Sequence, residues 1–382
     1  MRVRHRIQRI AATICLGAML AFAGGLIRAP ALAQDAPAPT PAQGEMIPAE
    51  RIPFYHDWAQ SPHAKADARA FNNWNDEGEI PEACARCHST PGFLDYIGAD
   101  GSAVGVVDRK APTGTLIGCG ACHNETARQI SGVTFPSGLR VEDLGSEARC
   151  MTCHQGRAST FTVDKAVAGR EDDTVVPELE FINIHYRAAG ATLMGTLARG
   201  GYEYAGQSYA SQRRHPVPFN TCISCHELHT VEPKAEPCAA CHDGVTDRKS
   251  LAQIRKSRVD HDGDGDVTEG IAAEIGHLHE RLLAAIQTYA RDVAGAPIAY
   301  DSHAHPYFFN DLNGNDIAGE DEAKGPNKYA SWTPRLLRAA YNYQFVAKDP
   351  GAYAHNAPYV LQLLHDSLAD LPGDNLQGAA RP

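Results

Sequence analysis

The pattern of apolar and polar residues predicts helices mainly in the last third of the chain. Six apolar residues recur at intervals of three or four positions and define one face of a long helix: Ile271, Ile275, Leu278, Leu282, Ile286 and Tyr289. Thr333 followed by Pro334 is typical of a helix start, because threonine caps the first turn and proline is tolerated within it. Pro358 is expected to open a further helix over residues 359–368. We therefore expect residues 250–382 to form a helical C-terminal lobe.

The middle of the chain carries signals for short strands. Residues 133–141 contain a Pro-Ser-Gly turn between two short runs rich in β-branched and apolar residues, which predicts a hairpin. Residues 202–209 alternate aromatic with other residues, and this pattern predicts a second hairpin. The segments between these elements have no clear period. The predicted fold class is mainly α with irregular loops and short β-hairpins.

The first 33 residues have the pattern of a signal peptide. Arginines precede an apolar stretch over residues 10–27, and Ala31 and Ala33 supply the small residues that a signal peptidase reads. An uncleaved membrane anchor is the alternative interpretation of this stretch. Residues 34–50 are rich in proline and alanine and are predicted to form an extended tether. We expect a periplasmic or extracellular protein with no stable membrane insertion of the mature chain.

Ten of the eleven cysteines lie in five copies of Cys-x-x-Cys-His. Motifs 1 to 5 consist of Cys84, Cys87 and His88; Cys119, Cys122 and His123; Cys150, Cys153 and His154; Cys222, Cys225 and His226; and Cys238, Cys241 and His242. This spacing is the attachment signature of c-type haem, whose porphyrin the two thiols bond and whose iron the histidine binds. Zinc sites and disulfides also use cysteine pairs, but neither requires a histidine after every pair. The sequence predicts a pentahaem domain over residues 51–249, with five covalently bound haem c groups as part of its core.

The second axial ligand of each iron decides what the domain can do. Five histidines outside the motifs are candidates for these positions: His63, His185, His215, His229 and His355. The others are interpreted as ordinary surface or core residues: His56, His261, His277, His279, His303, His305 and His365. Iron bound by two histidines is closed to substrate, which favours electron transfer over catalysis. Motifs 4 and 5 are expected to be close neighbours, because only 16 positions separate Cys222 from Cys238.

Two acidic loops in the predicted C-terminal lobe resemble EF-hand calcium loops. The first loop offers Asp260, Asp262, Asp264 and Asp266, with the tight-turn glycine between the last two. It lacks the terminal glutamate, for which Glu269 or Glu274 would have to substitute. The second loop offers Asp311, Asn313, Asn315 and Glu322 but lacks the glycine. Calcium is the predicted ligand, because carboxylates crowded this closely repel one another without a cation; a solvated acidic loop is the alternative.

The chain is acidic, with 46 acidic against 35 basic residues and a formal net charge of −11. Removal of the predicted signal peptide would take away five of the arginines and sharpen this imbalance. Nucleic acids and anionic membrane surfaces are therefore not expected partners. Redox proteins with basic docking surfaces are the expected partners, and self-assembly is an open alternative.

Several stretches resemble a group of bacterial exported multihaem c-type cytochromes. The resemblance is carried by residues 147–157, 185–195 with 200–204, and 341–351 with 354–356, and it spans roughly residues 55 to 368. It implies electron transfer in respiratory chains outside the inner membrane, and it supports the five histidines chosen as second ligands. It implies no particular substrate.

Three functions remain open from the sequence. The leading hypothesis is an electron carrier with mostly bis-histidine irons. The second is a reductase of nitrite, hydroxylamine or a sulfur oxyanion, which would need one iron without a second ligand. The third is a subunit of a cytochrome polymer or outer-membrane conduit, in which a histidine such as His63 would bind the iron of a neighbouring subunit.

Overall fold

The structure is a computed structural model that describes residues 48–373, 375–376 and 378–382. The predicted signal peptide and the tether up to residue 47 lie outside the described residues. The chain divides into two units, residues 1–51 and residues 52–382. The described part of the first unit includes one 3-10 turn, Ala49–Arg51. All elements discussed below belong to the second unit.

The second unit is mainly helical. Its helices are α1 (Tyr55–Gln60), α2 (Arg69–Asn72), α3 (Glu82–His88), α4 (Thr90–Tyr96), α5 (Cys119–Cys122), α6 (Glu125–Gln129), α7 (Glu147–Cys153), α8 (Thr160–Val167), α9 (Ala189–Met194), α10 (Cys222–Cys225), α11 (Ile271–Asp292), α12 (Pro334–Ala347) and α13 (Ala352–Asp370). Most of them before α11 span only one or two turns, and long irregular segments join them. No helix in the described ranges is both long enough and apolar enough to cross a membrane.

The strands form three antiparallel pairs. They are β1 (Glu79–Ile80) with β2 (Ala111–Pro112), β3 (Val133–Thr134) with β4 (Arg140–Val141), and β5 (Ile298–Tyr300) with β6 (Phe308–Asn310). The β3–β4 pair is the hairpin predicted over residues 133–141. Its turn is closed by the N–H of Gly138, which donates to the carbonyl of Phe135 at 2.8 Å. The predicted fold class, mainly α with short hairpins and irregular loops, is confirmed at this level.

The second predicted hairpin, over residues 202–209, is wrong. In place of a partner strand, side chains satisfy the backbone of this segment. The N–H of Tyr202 donates to Oδ1 of Asn342 at 2.7 Å, and Nδ2 of Asn342 donates to the carbonyl of Tyr202 at 3.0 Å. The N–H of Tyr204 donates to the hydroxyl of Tyr209 at 2.9 Å. The alternating aromatic residues thus pack against helices instead of pairing as strands, with Tyr202 against Arg338 of α12 and Tyr209 against Tyr359 of α13.

The predicted C-terminal helices are confirmed. The apolar face from Ile271 to Tyr289 lies in α11, and most of its residues are buried. Helix α12 begins at Pro334, and the hydroxyl of Thr333 accepts the N–H of Leu336 at 3.2 Å, as a helix cap does. Helix α13 begins earlier than predicted, at Ala352.

Helix α13 is kinked where the sequence predicted a helix start. Asn356 leaves the helical conformation, with φ −164° and ψ 72°, two residues before Pro358. Its side-chain oxygen accepts the N–H of Tyr359 at 3.3 Å, so Asn356 caps the second half of the helix. Pro358 therefore opens the helical segment that the sequence indicated, inside a longer element.

The largest core is shared by the two regions that the sequence analysis separated at residue 250. It is built on α11, α12 and α13, and it also contains Ile184, Met194 and Tyr202 from the region before residue 250. Helix α9 packs against α13. The described residues of the second unit thus have no separate core for a C-terminal lobe, because α9 and the segments beside it complete the burial of α12 and α13.

Candidate functional site

Each of the five motifs folds as a short helical turn. Motifs 1 to 4 lie on or at the ends of α3, α5, α7 and α10, and motif 5 lies on a 3-10 turn, Cys238–Ala240. In motifs 2 to 5, the histidine N–H donates to the carbonyl of the first cysteine at 2.8 to 2.9 Å. Residues three and four positions apart share one face of a helical turn. The two cysteines and the histidine of a motif are therefore held on one face, as attachment to a single porphyrin requires.

Four motif histidines each lie opposite a histidine from a distant part of the chain. The separations of the ring centroids are 5.8 Å for His88 and His185, 6.2 Å for His154 and His63, 6.3 Å for His123 and His229, and 6.4 Å for His226 and His355. Every partner is one of the five histidines chosen from the sequence as second ligands. The structure therefore assigns a partner to each of four motifs, which the sequence could not do.

These separations match the space that one iron needs between two imidazoles. A bond from a metal to an imidazole nitrogen is about 2.0 to 2.1 Å long. The nitrogen lies roughly 1.2 Å from the ring centre, since the ring bonds are about 1.3 to 1.4 Å long. Two imidazoles on opposite sides of one iron thus have centroids about 6.4 Å apart. The residues present in these four places fit a haem iron with two histidine ligands.

Burial keeps several of these imidazoles neutral, and the neutral form is the one that binds a metal. Burial, reinforced by the nearby His154, lowers the pKa of His63 to about 4. Burial and the neighbouring His88 lower the pKa of His185 to about 4. Burial also lowers the pKa of His226. These residues are therefore prepared as ligands at neutral pH.

The outer nitrogen of the ring has a fixed partner in several candidate ligands. Nδ1 lies 2.7 Å from the carbonyl oxygen of Ala70 in His88, 3.0 Å from that of Arg187 in His154, and 2.9 Å from that of Val231 in His226. Nδ1 of His355 instead contacts the carboxylate of Asp349, at 2.9 and 3.0 Å. With Nδ1 as the donor, each ring keeps the lone pair of Nε2 for a metal.

Helix α7, which carries motif 3, contacts three other motifs. The thiol of Cys153 contacts the carbonyl of Arg86 in motif 1 at 3.6 Å. Arg149 donates to the carbonyl of Cys122 in motif 2 at 3.1 Å. On the side of motif 4, the carboxylate of Glu147 accepts the N–H of Cys222 at 3.1 Å. Helix α7 thus contacts the neighbouring motif 2 and also motifs 1 and 4, through residues 67 and 75 positions away.

Motifs 4 and 5 are joined through a single residue between them. The N–H of Lys234 donates to the carbonyl of Cys225 at 2.7 Å, and the thiol of Cys238 contacts the carbonyl of Lys234 at 3.6 Å. The two motifs therefore lie side by side, as their spacing predicted.

The fifth predicted pair consists of His242 of motif 5 and His215, and its two rings do not face each other as those of the other four pairs do. His215 is exposed, and burial together with Lys256 and His215 lowers the pKa of His242. The two histidines thus lie within electrostatic range, but no ring–ring contact joins them among the residues described. Motif 5 is the place where the predicted second ligand is least well positioned.

The first acidic loop brings possible metal ligands together. Oxygen or nitrogen atoms lie within 4.8 Å of one another in two groups, one of Asp260, Asp262 and Glu274 and the other of Asp262, Asp264, Glu269 and His277. Both glutamates that the sequence offered as substitutes take part. Asp266 is exposed and instead accepts the N–H of Thr268 at 2.7 Å. Buried Glu274 also forms an ion pair with Arg255.

The second acidic loop is closed by its own backbone. Asp311 accepts the N–H groups of Gly314 and Asp316, at 2.8 and 2.9 Å. Glu322 accepts the N–H groups of Leu312 and Gly319, at 2.7 and 3.2 Å. Asn313 and Asn315 likewise accept the N–H groups of Asn315 and Ile317, at 3.0 and 2.9 Å. The predicted ligand oxygens of this loop therefore already have hydrogen-bond donors.

Two residues that contact these sites were not predicted from the sequence. Asp349 is buried against His355, and His277 contacts Asp262 at 2.6 Å. His277 lies on the same helix as Glu274, three positions on, and this spacing could have revealed it. For Asp349, the signal was its position in an Asp-Pro-Gly turn just before a candidate ligand.

Comparison with protein families identifies one match, to cytochrome c7 and related cytochromes c, over residues 69–155. This region contains motifs 1 to 3 and supports covalently bound haem c. No solved structure gives a significant match to the chain.

Curated relatives extend the similarity to most of the chain. It is 28% identical over 362 residues to the C-type polyheme cytochrome OmcB of Geobacter sulfurreducens, covering 79% of this chain and 45% of OmcB. It is 27% identical over 370 residues to the C-type polyheme cytochrome OmcC of the same species, covering 81% of this chain and 45% of OmcC. The chain thus spans less than half the length of these relatives. The chain is thus similar to multihaem c-type cytochromes, and it carries the Cys-x-x-Cys-His motif five times.

Proposed function

We propose that this chain is an exported pentahaem c-type cytochrome that transfers electrons through mostly bis-histidine irons, in a respiratory chain outside the inner membrane. The observation that carries the proposal is the opposition of four motif histidines to four distant histidines at 5.8 to 6.4 Å. Haem, when bound, supplies a one-electron redox centre. Two histidines of the chain would bind each of these four irons, which would leave no position for substrate there.

The proposed ligand sets follow from the observed pairs. Motif 1 would hold its iron with His185, motif 2 with His229, motif 3 with His63 and motif 4 with His355. Motif 5 would be completed by His215. In each motif the two cysteines are the proposed sites of covalent attachment.

The contacts of α7 support electron transfer between the motifs. Motif 3 touches motifs 1, 2 and 4, and motif 4 is joined to motif 5 through Lys234. Haems attached to motifs in contact with one another would lie near one another, as exchange of electrons within one chain needs.

Redox proteins are the proposed partners, since the relatives are described as polyheme cytochromes. A basic docking surface on the partner would complement the net charge of −11. Self-assembly through a donated histidine has less support. The ring centroids of His63 and His154 are 6.2 Å apart within one chain, so His63 is placed to bind an iron of its own chain.

A reductase remains the second candidate, and the observation that favours it is at motif 5. His215 is exposed and makes no ring contact with His242 in the described part of the chain. An iron bound by His242 alone would have an open position for nitrite, hydroxylamine or a sulfur oxyanion.

Calcium binding by the first acidic loop is a further part of the proposal. It is supported by the two groups of ligand atoms around Asp262. The second loop has less support, because the described residues there form no comparable group of three or more acidic or histidine ligands.

Electron paramagnetic resonance on the oxidised holoprotein, with haem quantified on the same sample, tests the proposal. Five haems per chain, all low-spin, are the expected result. Fewer than five haems would overturn the pentahaem assignment. A high-spin signal that is lost in Cys238→Ala/Cys241→Ala would favour the reductase, and turnover of one of the three substrates would then establish it.

A further inference from the structure

The candidate ligand His355 has a partner unlike those of the other candidate ligands. Its Nδ1 lies 2.9 and 3.0 Å from the two carboxylate oxygens of Asp349. Among the described residues, the outer ring nitrogens of the candidate ligands His88, His154 and His226 contact neutral backbone carbonyls instead. A carboxylate in this position accepts the Nδ1–H bond more strongly and brings a negative charge.

The carboxylate of Asp349 is held in place from several sides. The residue is only 3% exposed. Besides contacting His355, its Oδ1 accepts the N–H of Gly351 at 3.2 Å. The backbone of Gly351 in turn packs on the imidazole, since a Cβ there would lie 2.7 Å from Cε1 of His355. The orientation of the ring is thus fixed by the turn that precedes α13.

The neighbouring Lys348 does not neutralise the negative charge of Asp349. Lys348 is also buried, but its ammonium lies over the rings of Tyr186 and Tyr307, at 3.9 and 4.0 Å from their centroids. It donates to the carbonyl of Ser302 at 3.0 Å. Among the described residues no lysine or arginine forms an ion pair with Asp349, which therefore acts on His355 as a carboxylate.

A ligating histidine that donates its outer N–H to a carboxylate becomes a more basic ligand. Greater electron donation and a nearby negative charge both stabilise the ferric state over the ferrous state, and so lower the reduction potential. We propose that Asp349 is a positioning residue that fixes His355 and lowers the reduction potential of the iron held by His226 and His355. This inference rests on the proposed ligation of that iron by His355.

The experiment is a redox titration of the holoprotein followed by electron paramagnetic resonance, on the wild type and four variants. His355→Ala identifies which low-spin signal belongs to this iron. Asp349→Asn keeps a neutral acceptor in place and is expected to shift the midpoint of that same signal upwards. Asp349→Ser should produce the same upward shift, and it serves as the second neutral variant if the asparagine variant loses haem.

Asp366→Asn is the matched control. It removes a buried carboxylate on α13 itself, which pairs with Arg381 at 2.8 Å and touches no candidate ligand among the described residues. It should leave the midpoint of the His355 signal unchanged. A rise of that midpoint in the control equal to the rise in Asp349→Asn would overturn the specific role of the Asp349–His355 bond.

The outcomes separate this inference from the proposed function. If the wild type carries five low-spin haems and neither neutral variant at position 349 shifts the His355 signal, the role of Asp349 is overturned and the cytochrome assignment stands. If His355→Ala leaves every low-spin signal intact, the ligation itself is wrong, and both proposals for this iron fail.

Discussion

The imidazole rings of His123 and His229 lie parallel, with their centroids 6.3 Å apart and their planes 5° from one another. Phe54 stacks on the same ring of His229 at 4.5 Å and 6°. The planes of His88 and His185, in contrast, are inclined by 76°. The chain thus sets not only which histidines oppose each other but also the relative rotation of each pair.

These ring angles predict distinct spectra. Nearly parallel axial imidazoles give a rhombic low-spin signal, whereas nearly perpendicular ones give a strongly anisotropic signal. His229→Ala is expected to remove the most rhombic signal, and His185→Ala the most anisotropic one, each with a new high-spin signal in electron paramagnetic resonance. The exposed His303, replaced by alanine, is the control and should leave all signals unchanged. Loss of the same signal in both ligand variants would contradict the pairing.

Gly351 should be intolerant of even one added methyl group. Its Cβ in Gly351→Ala would lie 2.7 Å from Cε1 of His355, so the ring must move. We expect the low-spin signal of this iron to weaken in the variant. Gly276→Ala, on α11, is the control because no heavy atom lies within 4 Å of the added Cβ. It should raise the free energy of unfolding by about 0.5 to 1 kcal/mol. An unaltered low-spin spectrum in Gly351→Ala would show that the ring is not held by this turn.

Thr333 is expected to stabilise the start of α12. Its hydroxyl accepts the N–H of Leu336 at 3.2 Å and also bonds the hydroxyl of Tyr289 at 2.9 Å. Thr333→Ala should lower the free energy of unfolding by about 1 to 2 kcal/mol, as measured by denaturant titration of the holoprotein. Thr333→Ser keeps the hydroxyl and should lose much less. Equal stability of the two variants would argue against a role for the cap.

Calcium is expected to stabilise the protein through the first acidic loop. At a free calcium concentration one hundred times the Kd, binding to the folded state adds about 2.7 kcal/mol to stability. The Tm should therefore rise when calcium replaces a chelator. Asp264→Asn should weaken this rise, while Asp266→Asn should not, because Asp266 lies outside both ligand groups. A Tm of the wild type that is insensitive to calcium would leave the loop as a solvated acidic segment.

His279 should make stability depend on pH. Burial lowers its pKa to about 4 from 6.5, despite the bond from the ring to the carbonyl of Tyr343. Below pH 6.5 the unfolded chain binds the proton more readily, so the contribution of His279 to stability falls as the pH drops towards 4. The limiting slope for one proton is about 1.4 kcal/mol per pH unit.

His279→Phe tests this dependence. The substitution keeps a ring against Tyr343, with which His279 stacks at 3.9 Å and 6°, but removes the titrating group. The free energy of unfolding of the variant should change less between pH 6.5 and 4 than that of the wild type. Equal slopes in His279→Phe and the wild type would contradict the prediction.

Local spacing determined much of this protein from the sequence alone. Each Cys-x-x-Cys-His motif spans about one helical turn and can be identified from consecutive residues. The start of α12 likewise depends on Thr333 and the three residues that follow it. The apolar face of α11 is likewise a periodic signal. These features could be predicted because the groups that make them are near one another in the chain.

The tertiary structure decided what the sequence left open, because long-range packing sets it. The partner of each motif histidine depends on where α7, α13 and the loops meet, and no spacing rule encodes that. The side chain of Asn342 hydrogen-bonds the backbone N–H and carbonyl of Tyr202, and this segment is irregular where the sequence predicted a hairpin. The turn at Gly351 brings Asp349 against His355, six positions later, and tertiary packing buries the carboxylate, so that buried charge and backbone geometry act together there.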